Sequence, residues 1–457
     1  MKKKILAITA AAAISMSAVP AMAFENQFSG MLNVGGYATN YNNIGSVHNG
    51  KDAPSMNNID QRARLKYIAK VSDDLQMVSW FEINSQWGNA AQGGTLDTDG
   101  TASIRVKNVY LDFNIPKIPV NTKVGLFHWT DDYKMAFADA DVAGLQLTTK
   151  IDKFTGYFLY SRLYDLGVAG TPTNGVPNVT SVTPSTSLSG RDTLDLVAVN
   201  GKYAIDKNLT VGANYYALVG GGALRDRLIN TIGANVSAKI GPADLYGYFG
   251  YQFGDIGPGL ANVANGKSVN LSAFAVGATG TITAGPGKVN LGVLYLSGDD
   301  KGINRTDGTS GAWQMVSPGT SYYNDANMWI IIRNKISLVS SRSFDNNDLT
   351  NGQRGLFAVY GGYNGEYNKI IYGANIGYAQ TAATHSGENS SIGTEINGTI
   401  GYRIYDNLTA KINLAYAVLG DAGKDLVGSN GAWTTGAKNT FSNDDPWLAN
   451  LMVEYSF

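Results

Sequence analysis

The stretch Trp447-Leu-Ala-Asn-Leu-Met-Val-Glu-Tyr-Ser-Phe457 alternates at period two along its whole length. Trp447, Ala449, Leu451, Val453, Tyr455 and Phe457 fall on one side, and Leu448, Asn450, Met452, Glu454 and Ser456 on the other. Successive side chains of a strand point to opposite faces, so this strand has one apolar face and one mixed face. The carboxylate of Glu454, set between Val453 and Tyr455, requires that one face be wet. Two settings satisfy this: a surface strand of a soluble β protein, or a strand of a membrane barrel with lipid outside and water inside.

The pattern recurs along the chain. Ala63, Leu65, Tyr67 and Ala69 oppose Arg62, Arg64 and Lys66. A charge at the lipid midplane costs roughly 2–4 kcal/mol, so in a barrel these three cations point into the lumen. Leu75, Met77, Phe81 and Ile83 oppose Gln76, Trp80, Glu82, Asn84 and Gln86. Ile392, Thr394, Ile396, Ile400, Tyr402 and Ile404 oppose Glu395, Asn397, Thr399 and Arg403, and Leu408 to Val418 opposes Thr409, Lys411 and Asn413. About eighteen such segments are found, with sixteen as the alternative count; each is long enough for the roughly 9–11 residues a tilted spanning strand needs.

Short turns follow alternate strands: Ser72-Asp-Asp74, Asp206-Lys-Asn-Leu-Thr210, Gly241-Pro-Ala-Asp244, Gly285-Pro-Gly-Lys288 and Tyr405-Asp-Asn-Leu-Thr409. Long polar stretches join the other ends, near 88–102, 165–190, 255–267, 299–354 and 421–445. Short turns on one side and long loops on the other predict an all-β fold, a transmembrane antiparallel up-and-down barrel. Residues 327–335 lack clean alternation and are placed in a loop, with a hairpin or short helix as alternatives.

Lys2, Lys3 and Lys4, the uncharged run from Ile5 to Val19, and Ala21-Met-Ala23 predict a secretory signal peptide over 1–23, with the barrel occupying 24–457. Cysteine is absent, so an exported fold here needs no disulfides and cannot attach a c-type haem itself. The chain has 35 Lys and Arg against 36 Asp and Glu, too balanced for a nucleic-acid partner. The 26 tyrosines suit water–lipid interfaces, where their polar tips stay wet.

The leader, the two Asn-Leu-Thr turns and the final strand through Tyr455-Ser-Phe457 resemble bacterial outer-membrane porins over essentially the whole mature chain. The likeness is nearest to the long porin-like channel proteins of anaerobic, metal-respiring bacteria. The resemblance implies a passive, water-filled channel for small hydrophilic solutes or ions, crossing the Gram-negative outer membrane many times. It also implies contact with lipid and lipopolysaccharide, assembly by the barrel assembly machinery, a trimer as is common in the family, and no cofactor. The last strand, with Trp447, Tyr455 and Phe457 facing out, would close the barrel against the first.

A barrel of about sixteen to eighteen strands is too wide for its own side chains to fill. Its lumen candidates are Arg62, Arg64, Lys66, Lys239, Arg403 and Lys411, against Glu82, Asp195, Glu395 and Glu454. Porins often fold their third outer loop inward; here that loop spans about 129–143 and holds Asp131, Asp132, Asp139 and Asp141. These carboxylates would either face the Arg62–Arg64–Lys66 ladder and set a field across the pore, or form a solvated loop tip.

An enzyme is not expected. The chain has three histidines, His48, His128 and His385, and no nucleophile-elbow, zincin or phosphate-loop motif. Asp97-Thr-Asp99-Gly100 is a fragment of a calcium-loop pattern without its remaining ligands. A second function of a different class is a structural sleeve, in which the barrel houses a partner such as a multihaem cytochrome.

Overall fold

The computed structural model describes residues 25–40, 55–97, 104–165, 190–221, 227–256, 269–301, 308–316, 328–331, 353–385, 387–428 and 444–457. The leader over 1–23 and the Asp99-Gly100 half of the calcium-like fragment lie outside them. Eighteen long strands form the wall. They are β1 (Glu25–Thr39), β2 (Met56–Ser72), β3 (Leu75–Gln86), β4 (Ile104–Asn114), β5 (Val120–Thr130) and β6 (Asp139–Ile151). Then come β7 (Phe154–Asp165), β8 (Thr193–Ala204), β9 (Leu209–Gly220), β10 (Leu228–Ile240), β11 (Ala243–Asp255) and β12 (Asn270–Ala284). The last six are β13 (Gly287–Leu296), β14 (Leu356–Tyr367), β15 (Ile370–Gln380), β16 (Ser391–Tyr405), β17 (Leu408–Leu419) and β18 (Trp447–Ser456).

Each strand pairs antiparallel with its neighbours in sequence, and β18 pairs with β1, so the sheet closes. Val34 stands opposite Val453 and Leu32 opposite Tyr455. Beyond the last strand, Gly30 and Phe457 exchange two backbone hydrogen bonds of 2.9 and 3.0 Å. A closed sheet has no free edge, which is the condition for strands to cross lipid.

Local chemistry sets the turns. Gly241 and Gly285 take left-handed φ of 58° and 60°, each followed by a proline. Asn368 and Lys369 both have positive φ, the two-residue turn whose twist matches paired strands. The Asp206 carboxylate accepts the N–H groups of Asn208 and Leu209. All eight such turns lie at one end, with both ends of the barrel sheet, and all nine loops at the other.

The two faces differ as lipid and water require. Leu65, Val199, Phe249, Ile396, Ile400 and Leu414 stand exposed on the outer face. The buried cluster lies inside the barrel, where loops fold against inward-facing residues of the wall. Residues 131–138, the loop between β5 and β6, are shorter than the expected 129–143 because Asp139, Ala140 and Asp141 already pair with Thr130, Trp129 and His128. The β13–β14 loop contributes Thr309–Ser310, a two-residue parallel bridge to Asn270–Leu271, and then residues 311–316 and 328–331. Of the segment 327–335, residues 328–331 are described and 329–331 form bends, while 327 and 332–335 lie outside the described residues. Helix α1 (Asp421–Gly428) opens the last loop.

Candidate constriction and charged wall

The β5–β6 loop is built on Asp131. Its Oδ1 accepts the N–H groups of Tyr133 and Met135, and its Oδ2 those of Phe137 and Ala138. One carboxylate thus satisfies four amides that a tight loop leaves without strand partners. Burial pushes this carboxyl up to about 7, while the four donors pull it the other way.

The loop reaches the far wall through Asp132. Its Oδ1 lies 2.5 Å from Lys202 Nζ, and its Oδ2 accepts from Tyr216 Oη at 3.1 Å and from Asn200. Its carbonyl accepts from Tyr246 Oη at 2.6 Å. Tyr133, fully buried, donates to Asn214 and packs edge-on against Tyr216 and Trp313 and tilted against Tyr248. Its ring needs a bare wall: a Cβ on Gly233 would stand 2.3 Å from its hydroxyl, and one on Gly250 3.1 Å from its ring.

Residues 313–316 lie on this loop. Trp313 Nε1 donates to the Ala136 carbonyl and the Val316 amide to that of Phe137, both at 2.8 Å. The buried carboxamide of Gln252 holds them, accepting from the Gln314 amide at 2.7 Å and donating to its carbonyl at 2.8 Å. It acts as a piece of strand edge. Residues 328–331 rest on Glu395, which accepts the amides of Trp329, Ile330 and Ile331.

The wall from β2 to β5 is different. Arg62 and Arg64 flank Glu82: Arg64 Nη2 lies 2.7 Å and Arg62 Nε 3.5 Å from Glu82 Oε2. Asn84 ties the set together, accepting from Arg62 and donating to Glu82, each at 2.8 Å. The Arg64 guanidinium lies over the Trp80 ring at 5.6 Å. Lys66 stands opposite Trp80 in the ladder. The three ion-paired side chains keep 17, 22 and 12% of their surface open inside the barrel. Lys123, over the Tyr110 ring, and Asp112 extend this surface.

The remaining lumen candidates divide. Arg403 grips Glu366 with two hydrogen bonds, and Lys411 pairs with Glu454, both pairs on the inner face toward the turns. Lys239 shares that face but lies at the turn end, 4.0 Å from Asp244 and largely exposed. Glu395 is inside but fully buried under the loop it holds. Asp195 shares its parity with exposed Val199 and therefore faces outward, where it pairs with Arg162 at 2.8 Å. The expected lumen position of Asp195 is thereby corrected: the inner residues beside it, Leu194, Leu196 and Ala198, are apolar under the loops, and the charge falls on the outer row.

The four loop aspartates do not face the arginine ladder. Asp131 and Asp132 are consumed by the loop and the far wall. Asp139 and Asp141 begin β6 on its outer face and meet His128 at 3.2 and 3.4 Å, with Lys107 beside Asp141. The carboxylate that does meet the ladder is Glu82. Of the groups that hold the loops, only Glu395 is among the expected lumen residues; Gln252, Asn214 and Tyr216 are not, because alternation carries no signal that a loop will dock on a given wall residue.

These features define a class: a closed antiparallel barrel whose lumen is narrowed by its own loops. No protein-family model matches the chain, and no curated protein matches it. Solved structures share the fold. Pseudomonas aeruginosa OccK8 (OprE) aligns at a TM-score of 0.56 with 11% identity, covering 95% of this chain and 98% of that one. A BenF-like porin from Pseudomonas fluorescens Pf-5 gives 0.55 and 12%, over 95% and 98%. Pseudomonas aeruginosa OpdK with vanillate gives 0.51 and 12%, over 94% and 98%. At such identities the likeness is one of fold.

Proposed function

We propose that the protein is an outer-membrane porin, a passive channel for small hydrophilic solutes, whose water path follows the charged wall from β2 to β5. The observation that carries this reading is the partly open Arg62–Glu82–Arg64 set inside a closed barrel with an apolar exterior. Charge so expensive to desolvate is kept where water reaches it. Arg62, Arg64, Lys66, Arg105 and Lys123 outnumber Asp60, Glu82 and Asp112 on this wall, so the channel favours small anions. The likeness to OpdK with vanillate supports an organic anion among its solutes. The in-folded loops take up lumen that a partner protein would need, which speaks against the sleeve. With the loops outside the cell and the turns in the periplasm, the barrel has the usual orientation of its class.

Purified protein in planar bilayers should give discrete conductance steps. In a tenfold KCl gradient the reversal potential should move toward the chloride equilibrium value. A reversal potential on the potassium side would overturn the anion preference, and absence of steps from correctly inserted protein would overturn the channel.

A further inference from the structure

Met328, Trp329, Ile330 and Ile331 are buried inside the barrel, but neither a strand nor a helix organises their backbone. Glu395 on β16 supplies the missing partner. Its Oε1 accepts the Trp329 amide at 2.7 Å, and its Oε2 accepts those of Ile330 and Ile331 at 2.9 Å each. Three successive amides converging on one anion form a nest. The wall fixes the carboxylate from behind. Asn397 donates to Glu395 Oε1 at 2.9 Å, Asn375 donates to Asn397 at 2.9 Å, and Asn364 donates to Asn375 at 2.8 Å. This ladder crosses three strands and holds Glu395 in one direction.

A second feature marks the same seat. A Cβ built on Gly377 would stand 2.5 Å from Met328 Sδ, so the wall is notched where that side chain enters. Glu395 has no exposed surface, and a buried carboxylate is costly unless hydrogen-bonded. The segment and the wall therefore each depend on the other: the amides satisfy the carboxylate, and the carboxylate holds an apolar tetrapeptide in a lumen that water would otherwise enter.

We infer that Glu395 is the positioning residue of a second constriction, latching residues 328–331 against β15 and β16 to set the upper size of solute the barrel admits. The inference rests on the channel reading for its consequence, but the latch itself is independent of conduction.

Two variants and one cross-link test it. Glu395→Ala should raise single-channel conductance at least twofold and admit larger uncharged sugars in liposome swelling. Glu395→Gln, which keeps one acceptor, should fall between parent and Ala. The chain has no cysteine, so the pair Met328→Cys and Gly377→Cys reports the latch directly. Its disulfide should form readily with Glu395 present and at least tenfold more slowly with Glu395→Ala. Where Glu395→Ala fails to insert, Glu395→Gln with the cysteine pair gives the same reading at smaller amplitude. Cross-linking at an unchanged rate in folded, heat-modifiable variants overturns the latch. An inert parent with a tenfold change in cross-linking keeps the latch and removes the channel. Unchanged conductance and sugar cut-off despite slower cross-linking overturns the constriction.

Discussion

The wall from β8 to β12 and the wall from β2 to β5 share one strand pattern and receive opposite treatment inside the barrel. On the first, Leu194, Leu196, Ala198, Ala273 and Ala275 form an apolar floor, Asn200 and Asn214 bond the loop side chains of Asp132 and Tyr133, and Gln252 bonds the loop backbone at Gln314. On the second, Arg62, Arg64 and Glu82 satisfy one another and stay open. A loop entering the lumen must satisfy its amides and bury its apolar side chains. The first wall offers both, whereas the second would have to give up the hydration of several charges. The difference teaches that the position of the constriction follows from the composition of the wall it leans on. The uncovered charged wall is what remains for water.

The largest effect should come from unseating the loop on the first wall. Tyr133→Ala removes a fully buried aromatic ring and its bond to Asn214, a change of the kind that costs about 3–5 kcal/mol. Conductance should rise severalfold and the heat-modification midpoint should fall. A Tyr133→Ala channel with parental conductance would show that this loop does not limit flow.

Next in size is the register of the second wall. Arg62→Cys and Arg64→Cys should react with a small water-soluble thiol reagent, while Leu65→Cys should be shielded by lipid. Asp195→Cys should behave unlike the first two and lose no reactivity when a pore blocker is present. A one-residue slip of β2 exchanges the inner and outer sets, and the reverse pattern would show it.

A smaller effect concerns the loop's own carboxylate. Asp131 titrates near 7 in the folded protein against about 3.9 in an unfolded chain. Between these values the unfolded state has released this proton and the folded state has kept it. The group's contribution to stability is therefore complete below about pH 4, falls as pH rises to 7, and is constant above. Relative to Asp131→Asn, the parent should lose stability across that window in urea-denaturation series. A parent and variant that run parallel from pH 4 to 8 would contradict the assignment.

Much of the barrel is legible in sequence because lipid imposes a strict alternation. The strands around Arg62–Lys66, Ile396–Tyr402 and Ile412–Val418 keep it, since their inner residues are charged, polar or small. Asp195 shows where that rule fails: the inner residues Leu194, Leu196 and Ala198 of β8 are apolar because a loop covers them, so the charge nearest to them, Asp195, points to the wrong face. The family likeness offers an inward turn of the third loop as one of two alternatives, the other being a solvated tip. Its internal use of Asp131 and the outward turn of Asp139 and Asp141 depend on where β5 and β6 end, and alternation does not define strand ends. Residues 328–331 show no period because their backbone is held by Glu395, a partner 64 or more positions away.

The central claim is that solutes pass along the charged wall and feel Arg62 and Arg64 directly. The measurement that tests it is the reversal potential of the double variant Arg62→Glu, Arg64→Glu in a tenfold KCl gradient, with Asp139→Asn, Asp141→Asn as the outer-face control. The account predicts that the first crosses from the chloride side to the potassium side and that the second stays with the parent. A double-glutamate channel that inserts normally and keeps the parental reversal potential would place the water path elsewhere and contradict the account.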